Sequence, residues 1–240
     1  FDSGVDITFV ESSLPCSALG IDAAHKVSDS NVSIVSSAVT GYNVGIGYAY
    51  AGIVGCLHIA DSGVSIMGKH APRVAGIYQY QSGDGGAGMD NILLMCEATD
   101  VTVDIDVTGD AGEGYGRDIV GMMVNYVDGA EITINCDCDI TAVDGIFGKQ
   151  MSNITLDINV SAAFTRGLVA DGEDGFIDGG SVNITDGALS SALIGHSILG
   201  ARAHVASDLD ITLSAVDKCA RVYRGEYFSN CNFAGSLLAS

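Results

Sequence analysis

The sequence predicts an all-β protein: a parallel β-solenoid, or stack of β-arches, with two alternating strand types in each coil. Three observations carry this. A short aliphatic–polar pattern recurs along the chain, a second, glycine-containing pattern recurs between its copies, and helix-forming stretches are nearly absent.

The first pattern reads aliphatic, small polar, aliphatic, variable. It occurs as Val32-Ser33-Ile34-Val35, Val64-Ser65-Ile66-Met67, Val101-Thr102-Val103-Asp104 and Ile132-Thr133-Ile134-Asn135. It continues as Ile154-Thr155-Leu156-Asp157, Val182-Asn183-Ile184-Thr185 and Leu209-Asp210-Ile211-Thr212, with a weaker copy at Cys231-Asn232-Phe233-Ala234. The starts are separated by 32, 37, 31, 22, 28, 27 and 22 residues. Alternation with period two marks a strand buried on one side, so the aliphatic positions face a core. The outward positions, Ser33, Ser65, Thr102, Thr133, Thr155, Asn183 and Asp210, are all short and polar and are expected to stack as one ladder.

Between these copies lie Val44-Gly45-Ile46-Gly47, Ala75-Gly76-Ile77-Tyr78, Val120-Gly121-Met122-Met123 and Gly145-Ile146-Phe147-Gly148. Gly167-Leu168-Val169-Ala170, Ala192-Leu193-Ile194-Gly195 and Ala220-Arg221-Val222-Tyr223 extend the series. Asp128-Gly129, Asp144-Gly145 and Asp186-Gly187 read as the turns that join the strands. An antiparallel sandwich would share some of these features, but two alternating strand types favour a solenoid. The stretch 17–27 comes nearest to a helical pattern, and Gly20 limits it. No composition break defines a linker. The chain is therefore read as a single solenoid domain over 1–240, with 1–30 as an N-terminal edge segment and 82–89 as a Gly-rich loop.

Thirty acidic residues against ten basic ones give a formal charge of −20, which repels phosphate backbones and argues against nucleic-acid binding. No apolar run is long enough for a helical membrane span. The chain opens on Phe1 rather than Met, which a removed secretory leader explains. Seven cysteines fit an oxidising, extracellular location. The sequons at Asn31, Asn153, Asn159 and Asn183 are glycosylation candidates in such a setting.

An odd cysteine count leaves one thiol free or joined to another molecule. Cys16, Cys136, Cys138, Cys219 and Cys231 are the candidates for assembly or disulfide contacts, whereas Cys56 and Cys96 stand in apolar runs and read as buried thiols. Cys136 and Cys138 share one strand face. Strand neighbours two apart rarely bond each other, so each is expected to seek another coil or chain. Asp104, Asp106, Asp137 and Asp139, with Asp157, would crowd like charges if the strands stack in register. Either these carboxylates stand on an outward, solvated ladder diluted by Asn135 and Thr residues, with no cofactor, or a calcium ion bridges them.

No nucleophile elbow or Ser/His/Asp order stands out, the five histidines are scattered, and the Gly-rich run lacks the lysine of a phosphate loop. The chain is therefore read as a non-enzyme. Tyr48, Tyr50, Tyr78 and Tyr80 suggest either a stacked tyrosine ladder or a carbohydrate platform.

Taken together, the repeated Val/Ile-Ser/Thr-Val/Ile strands, the alternating Gly-aliphatic strands and the acidic, cysteine-containing composition resemble a secreted archaeal surface β-solenoid. The likeness is greatest to the tubular sheath proteins of filamentous methanogenic archaea. It spans about residues 30–234 and rests on pattern rather than on a unique motif. It implies β-arches that assemble, amyloid-like, into hoops and tubes around cells, with the chain itself as partner. The apolar, uncharged stretch 233–240 suits an edge covered by a neighbour. A polysaccharide-processing β-helix enzyme and a phage-type glycan-binding adhesin are the alternatives.

Overall fold

The computed structural model describes residues 3–9, 18–22, 26–36, 50–54, 56–69, 73–78, 96–109, 118–187, 197–216 and 219–238. Among them there is no helix, and the strands stack in parallel as a β-solenoid. The first strands are β1 (Ser3–Phe9), β2 (Ala18–Asp22), β3 (Lys26–Ser28), β4 (Ser30–Ser36), β5 (Tyr50–Val54) and β6 (His58–Ala60). There follow β7 (Gly63–Lys69), β8 (Arg73–Tyr78), β9 (Glu97–Thr108), β10 (Asp118–Met123), β11 (Tyr126–Gly148) and β12 (Gln150–Ala170). The last are β13 (Phe176–Asp186), β14 (Ser197–Arg202), β15 (Val205–Val216), β16 (Cys219–Arg224), β17 (Tyr227–Ser229) and β18 (Asn232–Leu238).

Each coil has three sides. The front side carries the first sequence pattern and stacks β1, β4, β7, β9, β11, β12, β13, β15 and β18 in that order. The glycine side stacks β2, β5, β8 and β10, the second halves of β11 and β12, then β14 and β16. A short third side, absent from the two-strand reading of each coil, stacks β3 and β6, the first residues of β9, β11, β12, β13 and β15, and β17.

The corner between the short and front sides is one residue in the left-handed backbone region. Asp29, Asp61, Asp100, Gly129, Asn153, Gly179, Asp208 and Asn230 occupy it, with φ between 48° and 74°. All are Asp, Asn or Gly, the residues that enter this region at least cost. The sequence reading caught only Asp128-Gly129 of this series. Asp144-Gly145, expected as a turn, lies within β11, because this glycine is required for packing inside the stack.

That packing is a column of glycines on the glycine side: Gly20, Gly52, Gly76, Gly121, Gly145, Gly167 and Gly200. A Cβ on Gly121 would lie 2.6 Å from the carbonyl oxygen of Gly145, and one on Gly145 would lie 2.7 Å from that of Gly167. The same added carbon would strike the front-side residue opposite, Val32, Val64, Val103, Ile132, Leu156, Val182 and Ile211 in turn. Glycine therefore lets the two sides close on branched side chains. Gly20 belongs to this column, which is why the stretch 17–27 contains strand β2 rather than a helical turn.

The core is one continuous cluster built from the inward columns of the three sides. On the front, Ile34, Ile66, Ile105, Ile134, Ile158, Ile184 and Leu213 stack on one another and are buried. Ala75 and Val120, on the opposite face of the glycine side, form a small separate cluster with Tyr78 and Met123.

Three of the seven front segments are displaced by two residues from the sequence alignment. Val103, Leu156 and Ile211, not Val101, Ile154 and Leu209, stack with Val32. A two-residue slip preserves which side chains face inward, so hydrophobic alternation alone does not detect it. The true central ladder is Ser33, Ser65, Asp104, Thr133, Asp157, Asn183 and Thr212, with Thr102, Thr155 and Asp210 in the adjacent column. β1 adds a further rung, Val5-Asp6-Ile7-Thr8, that sequence reasoning passed over. Residues 44–47, 82–89 and 192–195 lie outside the described residues. In the corresponding coils the glycine side is formed by β5 and β14.

Candidate assembly surface

The last coil, β16 to β18, departs from the rule of the others. At the eighth position of the glycine column stands Val222, and the front-side position stacked on Leu213 is Gly235. A Cβ on Gly235 would meet Val222 Cγ2 at 3.6 Å. The small residue has changed sides, which conserves volume across the coil.

The space left by this exchange holds aromatic rings. Tyr223 and Phe233 stack with centroids 5.4 Å apart and planes 13° apart, while Phe228 lies 5.6 Å from Phe233 and 5.9 Å from Tyr223. Such pairs add roughly 0.5–1.5 kcal/mol beyond area burial. The Tyr223 hydroxyl lies 3.1 Å from both the Ala203 and Tyr227 carbonyl oxygens, which share its proton. Burial pushes this phenol above its ordinary pKa, with a smaller contribution from Cys231. Around the cluster, Tyr227, Phe228, Leu237 and Leu238 are 61, 62, 57 and 60% exposed. Among the described residues, β16, β17 and β18 each pair along one edge only.

The predicted cysteines distribute unevenly. Cys16 lies outside the described residues. Cys219 is exposed at the start of β16, and Cys231 is partly buried just before β18, its Sγ 3.2 Å from the Ser229 carbonyl oxygen. Both belong to the last coil. Cys136 and Cys138 behave differently from expectation, their sulfurs lying 3.1 Å apart. The register shifts between Asn135 and Asp139, and this bulge replaces the flat alternation that would hold the two side chains apart. Cys56 and Cys96 are buried as expected. Burial pushes the Cys96 thiol up to about 11, helped by the neighbouring Cys56, whose own thiol burial also raises.

The acidic residues do not converge. Thr133 separates Asp104 from Asp157 in the ladder, Asp106 stands beside Asn135, and Asp139 beside Ser161. Asp137 accepts the Gly109 N–H at 2.9 Å, and Asp157 accepts from Asn183 Nδ2 at 2.9 Å. Among the described residues no three His, Cys, Asp or Glu side chains are grouped to hold a metal ion. Neutral Thr and Asn in alternate rungs, with these hydrogen bonds, relieve the expected like-charge crowding.

All four sequon asparagines are exposed. Asn31 and Asn159 lie on the front side, Asn183 is tied to Asp157, and Asn153 forms a corner and donates to Asp128 at 2.9 Å. A bond from Ser152 Oγ, and then the one from Asn153, hold the Asp128 carboxyl below its ordinary pKa. Among the described residues Tyr50 and Tyr78 do not share a rung position: Tyr50 pairs with Val74, and Tyr78 with Val54 and Met123. Tyr48 and Tyr80 lie outside the described residues.

Sequence reasoning missed Val222, Tyr223, Phe228 and Gly235 as a set. The signal was present as the single break in the glycine series together with the cluster of aromatics after residue 222. Comparison with family models, curated proteins and solved structures finds no match. Among the described residues no helix is long and apolar enough to cross a membrane.

Proposed function

We propose that this chain is a non-enzymatic structural β-solenoid of the cell surface that polymerises head to tail. The β16–β18 edge of one copy seats on the β1–β3 edge of the next. The observation that carries this reading is the last coil, where strands paired along one edge only among the described residues coincide with four exposed large apolar side chains. Burying them in a continued stack removes apolar surface from water at roughly 25 cal/mol per Å² and continues the backbone pairing.

The register supports the same arrangement. Continuing the front-side columns sets Phe233 beside Val5 of the next copy and Gly235 beside its Ile7. A large residue, Phe233, then meets a smaller one, Val5. Because the two edges differ, the contact is heterologous and generates rings or filaments rather than closed dimers. The charge of −20 keeps the sides of such a polymer apart in solution and confines growth to the ends.

Light scattering and negative-stain electron microscopy of the purified chain are expected to show concentration-dependent rings or filaments. Phe228→Asp combined with Leu238→Asp is expected to leave a folded monomer with unchanged far-UV dichroism. A wild-type chain that stays monomeric at high concentration would overturn the proposal, as would polymers that the double substitution leaves intact.

A further inference from the structure

We propose that Cys136 and Cys138 form a reversible dithiol–disulfide couple within the coil, exchanging with small disulfides at the side of the solenoid. This rests on the bulge rather than on the assembly reading and stands or falls separately. The two sulfurs are 3.1 Å apart, so closing to a bond of about 2.05 Å requires a movement of only about 1 Å. In a regular strand, residues two apart point the same way but are held apart by the extended backbone. Here the register breaks between Asn135 and Asp139, and the side chain of Asp137 is drawn aside to the Gly109 N–H. That hydrogen bond crosses to the end of β9 and anchors the bulge, so the thiols are preorganised by the neighbouring rung.

The two thiols are unequal. Cys136 is buried, whereas Cys138 is partly exposed. Cys138 is therefore the entry thiol and Cys136 the resolving one. The Cys138 thiolate attacks one sulfur of a small disulfide, RSSR. The old S–S bond breaks, and the departing RS⁻ takes up the proton that Cys138 gave to solvent. The Cys136 thiolate then attacks the Cys138 sulfur and displaces the second RS⁻, which is protonated in turn. Two protein thiols have lost two electrons and two protons, and RSSR has become two RSH. A bond formed across a bulge and open to solvent belongs to the easily reduced class, so added thiol reverses it.

The test incubates the folded, full chain with glutathione disulfide, removes it, and alkylates under acid-quenched denaturing conditions before peptide mapping. The expected result is an unalkylated peptide holding both Cys136 and Cys138, lighter by two hydrogens, that recovers both alkyl groups after dithiothreitol treatment. Cys136→Ser is expected to stop at a glutathionyl adduct on Cys138, and Cys138→Ser to leave Cys136 unmodified over the same time. Should either serine variant fail to fold, the wild-type map decides alone. The proposal is overturned if both thiols remain alkylatable after oxidation. It is equally overturned if Cys138 is found joined to a cysteine of another chain on non-reducing gels.

Discussion

The interior coils and the last coil follow the same strand plan with opposite economies of space. In the interior, each glycine-side rung offers Gly to a branched residue from the front, and every inward column is closed by a neighbour above and below. In the last coil Val222 takes the glycine position, Gly235 the isoleucine position, and aromatics fill what remains. The rule holds as far as Gly20 in β2, which stacks on β5 alone, and relaxes in the coil of β16 to β18, where larger, stickier side chains appear.

The largest effect that would break this contrast is at the glycine column. Gly145→Ala sets a Cβ against the Gly167 carbonyl and Leu156, neither of which yields without moving the strand. A loss of about 3 kcal/mol is expected in denaturant unfolding, against less than about 1 kcal/mol for Val222→Ala in the same column. If the two cost alike, the column is not the constraint. Next comes the core ladder, where Ile134→Ala opens a cavity between two buried isoleucines and is expected to cost about 2–3 kcal/mol. Leu237→Ala on the exposed last strand is expected to be nearly neutral in the monomer.

A third prediction uses the interior thiol. The folded-state pKa of Cys96 is raised, from 9.0 to about 11, so the folded chain holds a proton that the unfolded chain releases between those values. Stability is full below pH 9 and declines as pH rises toward 11. Wild type is expected to lose about 2 kcal/mol more than Cys96→Ala over that window, read as the difference between their urea midpoints at pH 8 and 10.5. Equal slopes would show that Cys96 does not carry the effect.

A smaller effect is lateral. Arg166 grips Asp144 of the neighbouring rung through two hydrogen bonds of 2.5 and 2.6 Å, and this pairing pushes the guanidinium pKa further up. Both groups border solvent, so Arg166→Ala is expected to cost about 0.5–1 kcal/mol. Arg221, two rungs further along the same column, is exposed in the last coil and is expected to contribute less.

The solenoid, its parallel stacking and its two main strand types were legible because alternation and glycine recurrence are written residue by residue. The phase of Val101, Ile154 and Leu209 was not, since a shift of two leaves inside and outside unchanged and only the left-handed corner fixes the register. The short third side escaped because three residues are too few for a period. The closeness of the Cys136 and Cys138 sulfurs was not legible because a bulge depends on neighbouring rungs, which local spacing does not encode. The aromatic cluster was overlooked because Tyr223, Phe228 and Phe233 meet only once the last coil closes.

The one-residue corner has a further consequence for how such a chain tolerates change. From corner to corner the chain spans as few as 22 residues, between Asp208 and Asn230, and as many as 39, between Asp61 and Asp100. Yet the residue three places after each corner always enters the same inward column, from Val32 through Ile132 to Phe233. The corner acts as a reset of phase. Length added elsewhere in a coil is forgotten there, so one coil can be lengthened or redecorated without disturbing the reading frame of the next.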